Sequence, residues 1–367
     1  MPRTITIDPD ITLANTLPGW FYSAHDMHER CRERIFARSW QYIGDLEDVR
    51  TPGDVRPCTL LEGCLDEPLV LTRDEADHLH CLSNVCTHRA NLVVQQPGKA
   101  TMLRCGYHGR RFGLDGRFRS MPEFDRVRGF PSAKDDLARL SLHAWGNWLF
   151  TAIDPALPFE AWISPVEQRV GRLPLHEFRH QPSMSRDYLV KCNWALYCEN
   201  YLEGFHIPFV HDALAGTLDY AKYETELHPW GNLQIGIAKG GEECFDADEI
   251  TESEASAGSA VAAYYFWLWP NLMLNFYPWG LSVNIVKPLG VDRTRVCFRS
   301  YVWRPERLGR GAGADLDRVE REDEAIVESV QRGAASRLYD RGRYAPDREQ
   351  GVHQFHRMLA EAVGDGR

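Results

Sequence analysis

The spacing of apolar residues changes character several times along the chain. Residues 1–20 read as extended or irregular, with Leu17-Pro18-Gly19-Trp20 as a turn. From Ser23 to about Trp40, the residues Met27, Cys31, Ile35, Phe36 and Trp40 recur at roughly helical spacing, with Arg and Glu filling the other face. From 41 to about 155, short apolar runs at 68–72, 80–84, 102–105 and 148–153 alternate with Gly, Pro and Asp turns. That pattern predicts a small all-β domain of antiparallel strands. Beyond Asp154-Pro155 lies a mixed stretch with a helical candidate at 165–172 and a strand at 185–190. A helix is expected from there up to about 206. Residues 259–303 are rich in β-formers with turns at Pro270-Asn271 and Pro278–Gly280, which predicts an antiparallel sheet. Gly309, Gly311 and Gly313 follow no strand in a βαβ context and read as a loop, not a nucleotide site. Helices are expected at 315–337 and 350–363. The expected organisation is α+β: a helical segment 1–40 packing on the C-terminal part, an all-β domain 41–155, and a larger domain 156–367.

The all-β domain contains Cys86-Thr-His88, then sixteen residues, then Cys105-Gly-Tyr-His108. Two cysteines and two histidines are a possible tetrahedral zinc set. Zinc sites of that composition usually pair Cys with Cys and His with His. Here each of two loops carries one of each, which suits a 2Fe-2S cluster with thiolates on one iron and imidazoles on the other. Gly106 and Gly109 are expected to let the second loop wrap closely. In the larger domain, residues 199–211 hold His206 and His211, with Glu203 three residues before the first and Asn200 three before that. Two imidazoles and a carboxylate form the ligand set of a mononuclear Fe(II) oxygenase site. Five residues turn an ideal helix by roughly 140°. Convergence of both rings therefore needs the helix to bend or end, and Pro208 lies between them.

Composition narrows the function classes. A chain of 367 residues suits about two domains, and 44% hydrophobic with 26% charged residues is ordinary for a globular protein. The net charge of -10 argues against a nucleic-acid partner. No apolar run reaches the ~18 residues of a membrane span. The first 20 residues carry no signal-like apolar stretch. Ten cysteines are too sparse for a disulfide scaffold, so a cytoplasmic protein is expected.

Residues 86–108 resemble the Rieske cluster motif, and 199–211 resemble the iron motif of the Rieske non-haem iron oxygenases. The resemblance implies a Rieske domain plus a catalytic domain whose antiparallel sheet wraps on helices, a helix-grip or START-like fold. It implies one 2Fe-2S cluster on Cys86, Cys105, His88 and His108, and one mononuclear Fe(II) on His206, His211 and a third ligand. The stretch 321–331 resembles the family's terminal helix, where an Asp eight residues before a Gln completes the triad. That selects Asp323, with Glu322 and Glu324 as neighbouring alternatives. Ala90 and Arg110 depart from the Gly and Trp often found there. Glu203 stands where most of the family has Asp, and the resemblance implies a bridge from His108 of one subunit to His206 of the next. A homotrimer follows, fed by a separate NAD(P)H-dependent reductase or ferredoxin. No flavin or NAD fingerprint is present in the chain.

For substrate, the segments 265–288 and 331–356 resemble the choline monooxygenase, glycine-betaine and carnitine oxygenase branch more than naphthalene-type dioxygenases. A quaternary ammonium needs aromatic faces. Tyr264, Tyr265, Phe266, Trp267, Trp269, Phe276, Tyr277 and Trp279 offer such faces, with plain sheet core the simpler reading of any one; Tyr201, Phe205, Trp267, Trp269 and Phe276 are the substrate-binding candidates, with Glu203 and Asn200 as catalytic candidates. The expected reaction uses O2 to hydroxylate or N-demethylate a small quaternary or tertiary ammonium compound. Oxygenation of an aromatic or other apolar substrate is the alternative, and a Rieske electron carrier without oxygenase activity is the alternative of another class. His353 and His356 read as surface or packing residues.

Overall fold

The computed structural model describes residues 4–247, 249–250 and 258–364. Ala37–Ala156 forms one compact unit, and the chain before and after it forms another.

The first unit holds strands β1 (Gln41–Asp45), β2 (Asp54–Leu60), β3 (Glu67–Arg73), β4 (Leu79–Ser83), β5 (Gly98–Lys99), β6 (Leu103–Arg104), β7 (Arg111–Phe112), β8 (Phe118–Ser120), β9 (Arg139–Trp145) and β10 (Trp148–Ala152). They make a seven-stranded sheet in the order β1-β10-β9-β4-β3-β2-β5 and a small sheet β6-β7-β8, with every pairing antiparallel. Side chains alternate faces along a strand. Leu69, Leu71 and Cys81 therefore join one core with Val49 and Leu149, while Val70 and Leu82 join another with Cys86, Cys105 and Phe112. That second core is the floor under the Cys/His loops.

The other unit holds helices α1 (His25–Arg34), α2 (Phe159–Val170), α3 (Trp194–Tyr201), α4 (Ile207–Val210), α5 (Asp212–Thr217), α6 (Leu316–Ala334) and α7 (Gln350–Val363). Its strands are β11 (Arg179–His180), β12 (Arg186–Val190), β13 (Glu224–His228), β14 (Gly231–Ile237), β15 (Val261–Leu268), β16 (Leu272–Tyr277), β17 (Gly280–Gly290) and β18 (Arg293–Val302). They form one antiparallel sheet, β11-β18-β17-β16-β15-β14-β13, with β12 also on β18. The sheet is apolar on its outer face. Tyr264, Phe266 and Phe276 lie there, and Arg169 of α2 sits 5.9 Å over the Tyr264 ring. On the inner face, Asn232, Gln234, Tyr265, Asn275, Ser282, Asn284 and Phe298 line up through the register, under α3, α6 and α7.

Several boundaries differ from the sequence reading. The first helix stops at Arg34 rather than near Trp40; the chain then turns to place Phe36 edge-on against Trp194 at 4.8 Å. The helical candidate at 165–172 is the second half of α2, which begins at Phe159 and contains Pro165. Strands β13 and β14 were not anticipated. His356 is fully buried, with Nδ1 2.6 Å from the Tyr344 hydroxyl and Nε2 3.0 Å from Glu199, which also accepts from Tyr22 at 2.8 Å. It and the buried His353 are packing residues, and the surface reading of them is wrong.

Candidate active site

The two Cys/His loops are built alike. The Ala90 N–H returns to the Cys86 carbonyl at 3.0 Å, and the Gly109 N–H to the Cys105 carbonyl at 3.1 Å. Each turn ends in a left-handed residue, Ala90 at φ 55° and Gly109 at φ 73°. A glycine preference at position 90 has its cause in that backbone, and alanine holds it at some strain. Gly106 has no positive φ and no close neighbour, so the close wrapping expected of it rests on Gly109 alone. Cys86 and Cys105 are buried and their thiols are in contact, while the His88 and His108 rings lie 4.7 Å apart nearer the surface. Among the described residues, three ligand atoms converge within 4.8 Å at His206, His211 and Asp323, and at no set drawn from this quartet. One tetrahedral zinc would need such convergence. Paired thiols and paired imidazoles instead fit a cluster with two irons. Burial pushes the Cys86 thiol up. Cys105 is buried too, yet the Tyr107 and His108 N–H groups and the Asn91 amide at 3.5 Å hold it down. Hydrogen bonds to cluster sulfur raise its potential.

Arg110 is buried here, bonded to Asp135 at 2.6 Å with Phe112, Phe118 and Phe130 ring centroids 5.0–5.7 Å from its guanidinium. Burial, His108 and Arg110 push the His88 imidazole down, so the Arg110 charge is felt at the ligand positions. A nearby cation favours the reduced, more negative cluster. Arg110→Gln is therefore expected to lower the cluster potential by about 20–60 mV, on a scale where ~59 mV is tenfold for one electron. Redox titration of the cluster absorbance checks this, and an unchanged or raised potential contradicts it.

The second site is built on α3, α4 and α6. Asn193 caps α3, accepting from Ala195 N–H at 3.0 Å, and its own N–H donates to Gln331 of α6 at 2.7 Å. That bond ties the start of α3 to α6 and fixes the register in which Asp323 meets the histidines. α3 ends at Tyr201, so Glu203 and His206 do not share a helix. Glu203 sits in the following turn, where Oε2 accepts from the Phe205 and His206 N–H groups and Oε1 meets His206 Nδ1 at 2.7 Å. His206 and His211 flank the one-turn helix α4, and Pro208 lies in its first turn rather than breaking a longer one. The rings converge because His211, at φ -117° and ψ 76°, is the non-helical joint between α4 and α5.

His211 Nε2 lies 3.0 Å and His206 Nε2 3.5 Å from Asp323 Oδ1. Both Nδ1 atoms face outer carboxylates: Glu203 for His206, and Glu322 at 2.7 Å for His211. Glu322, considered as a ligand from sequence, reaches the far side of the ring instead, held by Arg318 at 2.9 Å. Glu324 faces away, beside Tyr188 and Arg321. Burial would lower the His211 imidazole, but Asp323 and Glu322 outweigh it and raise it. Metal binding displaces that proton. Two Nε2 atoms and one carboxylate on a single side, each imidazole held through its other nitrogen, suit a divalent iron with open positions.

A cavity of about 100 Å³ adjoins these three residues. Asn200 and Tyr201 of α3 line it, with Tyr197, Tyr223, Gln234, Tyr265, Asn275, Tyr277, Asn284, Phe298 and Glu320. Burial raises all five tyrosines, which therefore remain neutral phenols, and it pushes the Glu320 carboxyl well up. The Tyr201 hydroxyl is fixed 2.6 Å from Asn275 Oδ1. Four of the substrate-binding candidates lie elsewhere. Phe276 is on the outer sheet face against Phe266. Trp267 and Trp269 pack on Phe355 of α7, at 5.2 and 6.2 Å. Phe205 is exposed beside Phe209, 6.1 Å away. The lining residues Gln234, Asn275 and Phe298 come together only through the strand register, and Tyr223, in the turn before β13, joins them with its hydroxyl 3.3 Å from Gln234 Oε1.

Residues 39–131 match the family model of the Rieske [2Fe-2S] domain, and 173–365 match that of the ring hydroxylating alpha subunit (catalytic domain). The chain is 31% identical to the chloroplastic choline monooxygenase of Arabidopsis thaliana, over 96% of its own length and 84% of the relative's. It is 28% identical to the carnitine monooxygenase oxygenase subunit of Escherichia coli (strain K12), covering 95% and 94%. A solved quaternary ammonium Rieske monooxygenase, described for carnitine oxidation by gut microbiota and inter-subunit electron transfer, superposes with TM-score 0.79 at 23% identity over 98% of this chain and 99% of that one. Naphthalene 1,2-dioxygenase from Rhodococcus sp. superposes at 0.75 with 16% identity, covering 95% and 94%.

Proposed function

The chain belongs to the Rieske non-haem iron oxygenases, and from that premise we propose that it oxygenates a small quaternary or tertiary ammonium compound. The observation that carries this reading is the placing of five neutral tyrosines around a small cavity beside His206, His211 and Asp323. Phenol faces attract an ammonium head through cation–π contact, more strongly when water is excluded. When bound, the 2Fe-2S cluster supplies electrons and the mononuclear iron activates dioxygen. The chain's own part is to hold and orient. Glu203 and Glu322 accept from the Nδ1–H groups and turn both Nε2 atoms toward Asp323. The inner sheet face, with Asn275 fixing Tyr201, shapes the space in which the substrate sits.

Electrons come from a separate reductase or ferredoxin. We further read the protein as a homotrimer in which Glu203 links a neighbour's cluster to His206. The exposed Phe205 and Phe209 beside Glu203 support an interface there, since paired exposed aromatics mark contact surfaces. No helix among the described residues is long and apolar enough to cross a membrane. We read the protein as cytoplasmic, since ten cysteines in 367 residues are too sparse for a disulfide scaffold.

With a compatible reductase, NADH and O2, choline or a related ammonium compound is expected to give a hydroxylated product, or formaldehyde where an N-methyl group is attacked. Product formation should be at least about tenfold faster than with naphthalene, the scale of a desolvated cation–π contact. Mass spectrometry with labelled dioxygen reads the product. Oxygenation of naphthalene with no ammonium compound turned over would defeat the reading.

A further inference from the structure

The face of α6 that carries Asp323 also carries Leu316, Val319 and Glu320, and all four side chains line the cavity. Their i, i+3, i+4, i+7 spacing is one helical stripe. Glu320 is 3% exposed. Its Oε2 accepts from the Tyr197 hydroxyl at 2.6 Å, and its Oε1 has no hydrogen-bond partner among the described residues. A buried carboxyl oxygen without a partner is costly unless something meets it there. The metal site does not explain it, because Glu320 is outside the set that converges at His206, His211 and Asp323. The other acids on the wall are Glu203 and Asp323, and no described Lys or Arg lines the cavity.

We propose that Glu320 is a substrate-recognition residue that holds the cationic head of the substrate against the tyrosine faces, and that the site takes ammonium compounds carrying no carboxylate. The inference rests on the ammonium reading above and narrows it. A quaternary nitrogen has no N–H to donate, so its recognition falls to ring faces and an opposite charge. Glu320, gripped by Tyr197, offers that charge once a cation beside it offsets the burial that pushes its carboxyl up. A carboxylate held beside Glu320 would meet a like charge with no Lys or Arg among the described lining residues to pair it, and both histidines there already face Glu203, Glu322 and Asp323, which is unfavourable. Glu320 stands three residues before Asp323, about 4.5 Å along the helix axis. A head group held at Glu320 therefore keeps its carbon substituents beside the metal ligands.

The test is calorimetric binding to the anaerobic holoenzyme, which reads affinity without turnover. The probes are choline, its uncharged carbon isostere 3,3-dimethylbutan-1-ol, glycine betaine and carnitine. Choline is expected to bind about tenfold or more tightly than each of the other three. In Glu320→Gln, which retains shape and an oxygen for Tyr197, the preference for choline over its isostere should shrink about tenfold. Iron content and cluster spectrum should match the wild type. Tight binding of glycine betaine or carnitine, or an unchanged charge preference in a folded Glu320→Gln, overturns the inference and leaves the ammonium reading standing. Should the variant fail to fold, the wild-type ranking of choline against its isostere and the two carboxylates decides alone. If no ammonium compound binds while the uncharged 3,3-dimethylbutan-1-ol does, the inference falls together with the reading beneath it.

Discussion

His211→Ala is expected to reduce iron from about three atoms per chain to about two and to abolish turnover, with the visible spectrum of the cluster unchanged. The size of the effect follows from what the side chain does. Its Nε2 faces Asp323 at 3.0 Å and its Nδ1 faces Glu322 at 2.7 Å, so removal deletes a ligand and leaves two carboxylates facing an empty space. Two ligands remain where a facial triad needs three. Glu322→Gln gives a graded comparison. It retains the ligand and weakens only the support behind it, so iron affinity should fall by about 10–100-fold, the usual cost of an outer carboxylate. Iron analysis after dialysis against a chelator separates the two variants. If His211→Ala retained its third iron and its activity, the assignment of this site would be wrong. Equal behaviour of the two variants would make Glu322 a ligand rather than a support.

That site was partly legible in the sequence, for a definable reason. Cys86, His88, Cys105 and His108 lie on two tight loops, and His206 and His211 flank a single turn, so local spacing carries their geometry. Asp323 is over a hundred residues away in a charged helix and was reached only through the resemblance to a terminal-helix pattern. The structure supplies its physical reason in the Gln331–Asn193 bond that fixes α6 against α3. The substrate wall is legible only in part, since Tyr201, Tyr265 and Tyr277 line the cavity and the other aromatic candidates lie elsewhere. Phe276 and Tyr277 are adjacent, yet one faces outward and the other lines the cavity. Strand parity decides this, and parity cannot be assigned until it is known which face the helices cover. Trp267 has the inward parity of Tyr265 but lies at the end covered by Phe355 of α7, a contact remote in sequence. The strand that carries Gln234 is itself legible, though the residues it faces are not. The alternation of Leu233, Ile235 and Ile237 is a visible strand signal that was passed over.

Mixed assemblies should restore activity from two inactive chains. A chain with Cys105→Ala is expected to lack the cluster but hold mononuclear iron, and His211→Ala the converse. Each alone should turn over at background. If electrons pass between subunits, an iron-bearing chain works whenever the neighbour facing it bears a cluster. In a ring assembled at random from equal amounts, an active pairing needs both conditions, giving about a quarter of wild-type activity. Transfer within one chain predicts none, because no chain then has both centres. Adding Glu203→Leu to the iron-bearing chain locates the link. Glu203 uses Oε1 on His206 Nδ1 and Oε2 on two backbone N–H groups, so its loss also loosens the histidine it holds. Iron retention separates the two roles. A local orienting role lowers iron occupancy, by about 10–100-fold in affinity, and leaves activity per bound iron intact. A bridge lowers activity per bound iron as well, and the re-oxidation of a reduced cluster by O2 and substrate slows with it. Restored activity that survives Glu203→Leu at equal iron content would move the electron path off this residue, while the subunit ring itself would stand.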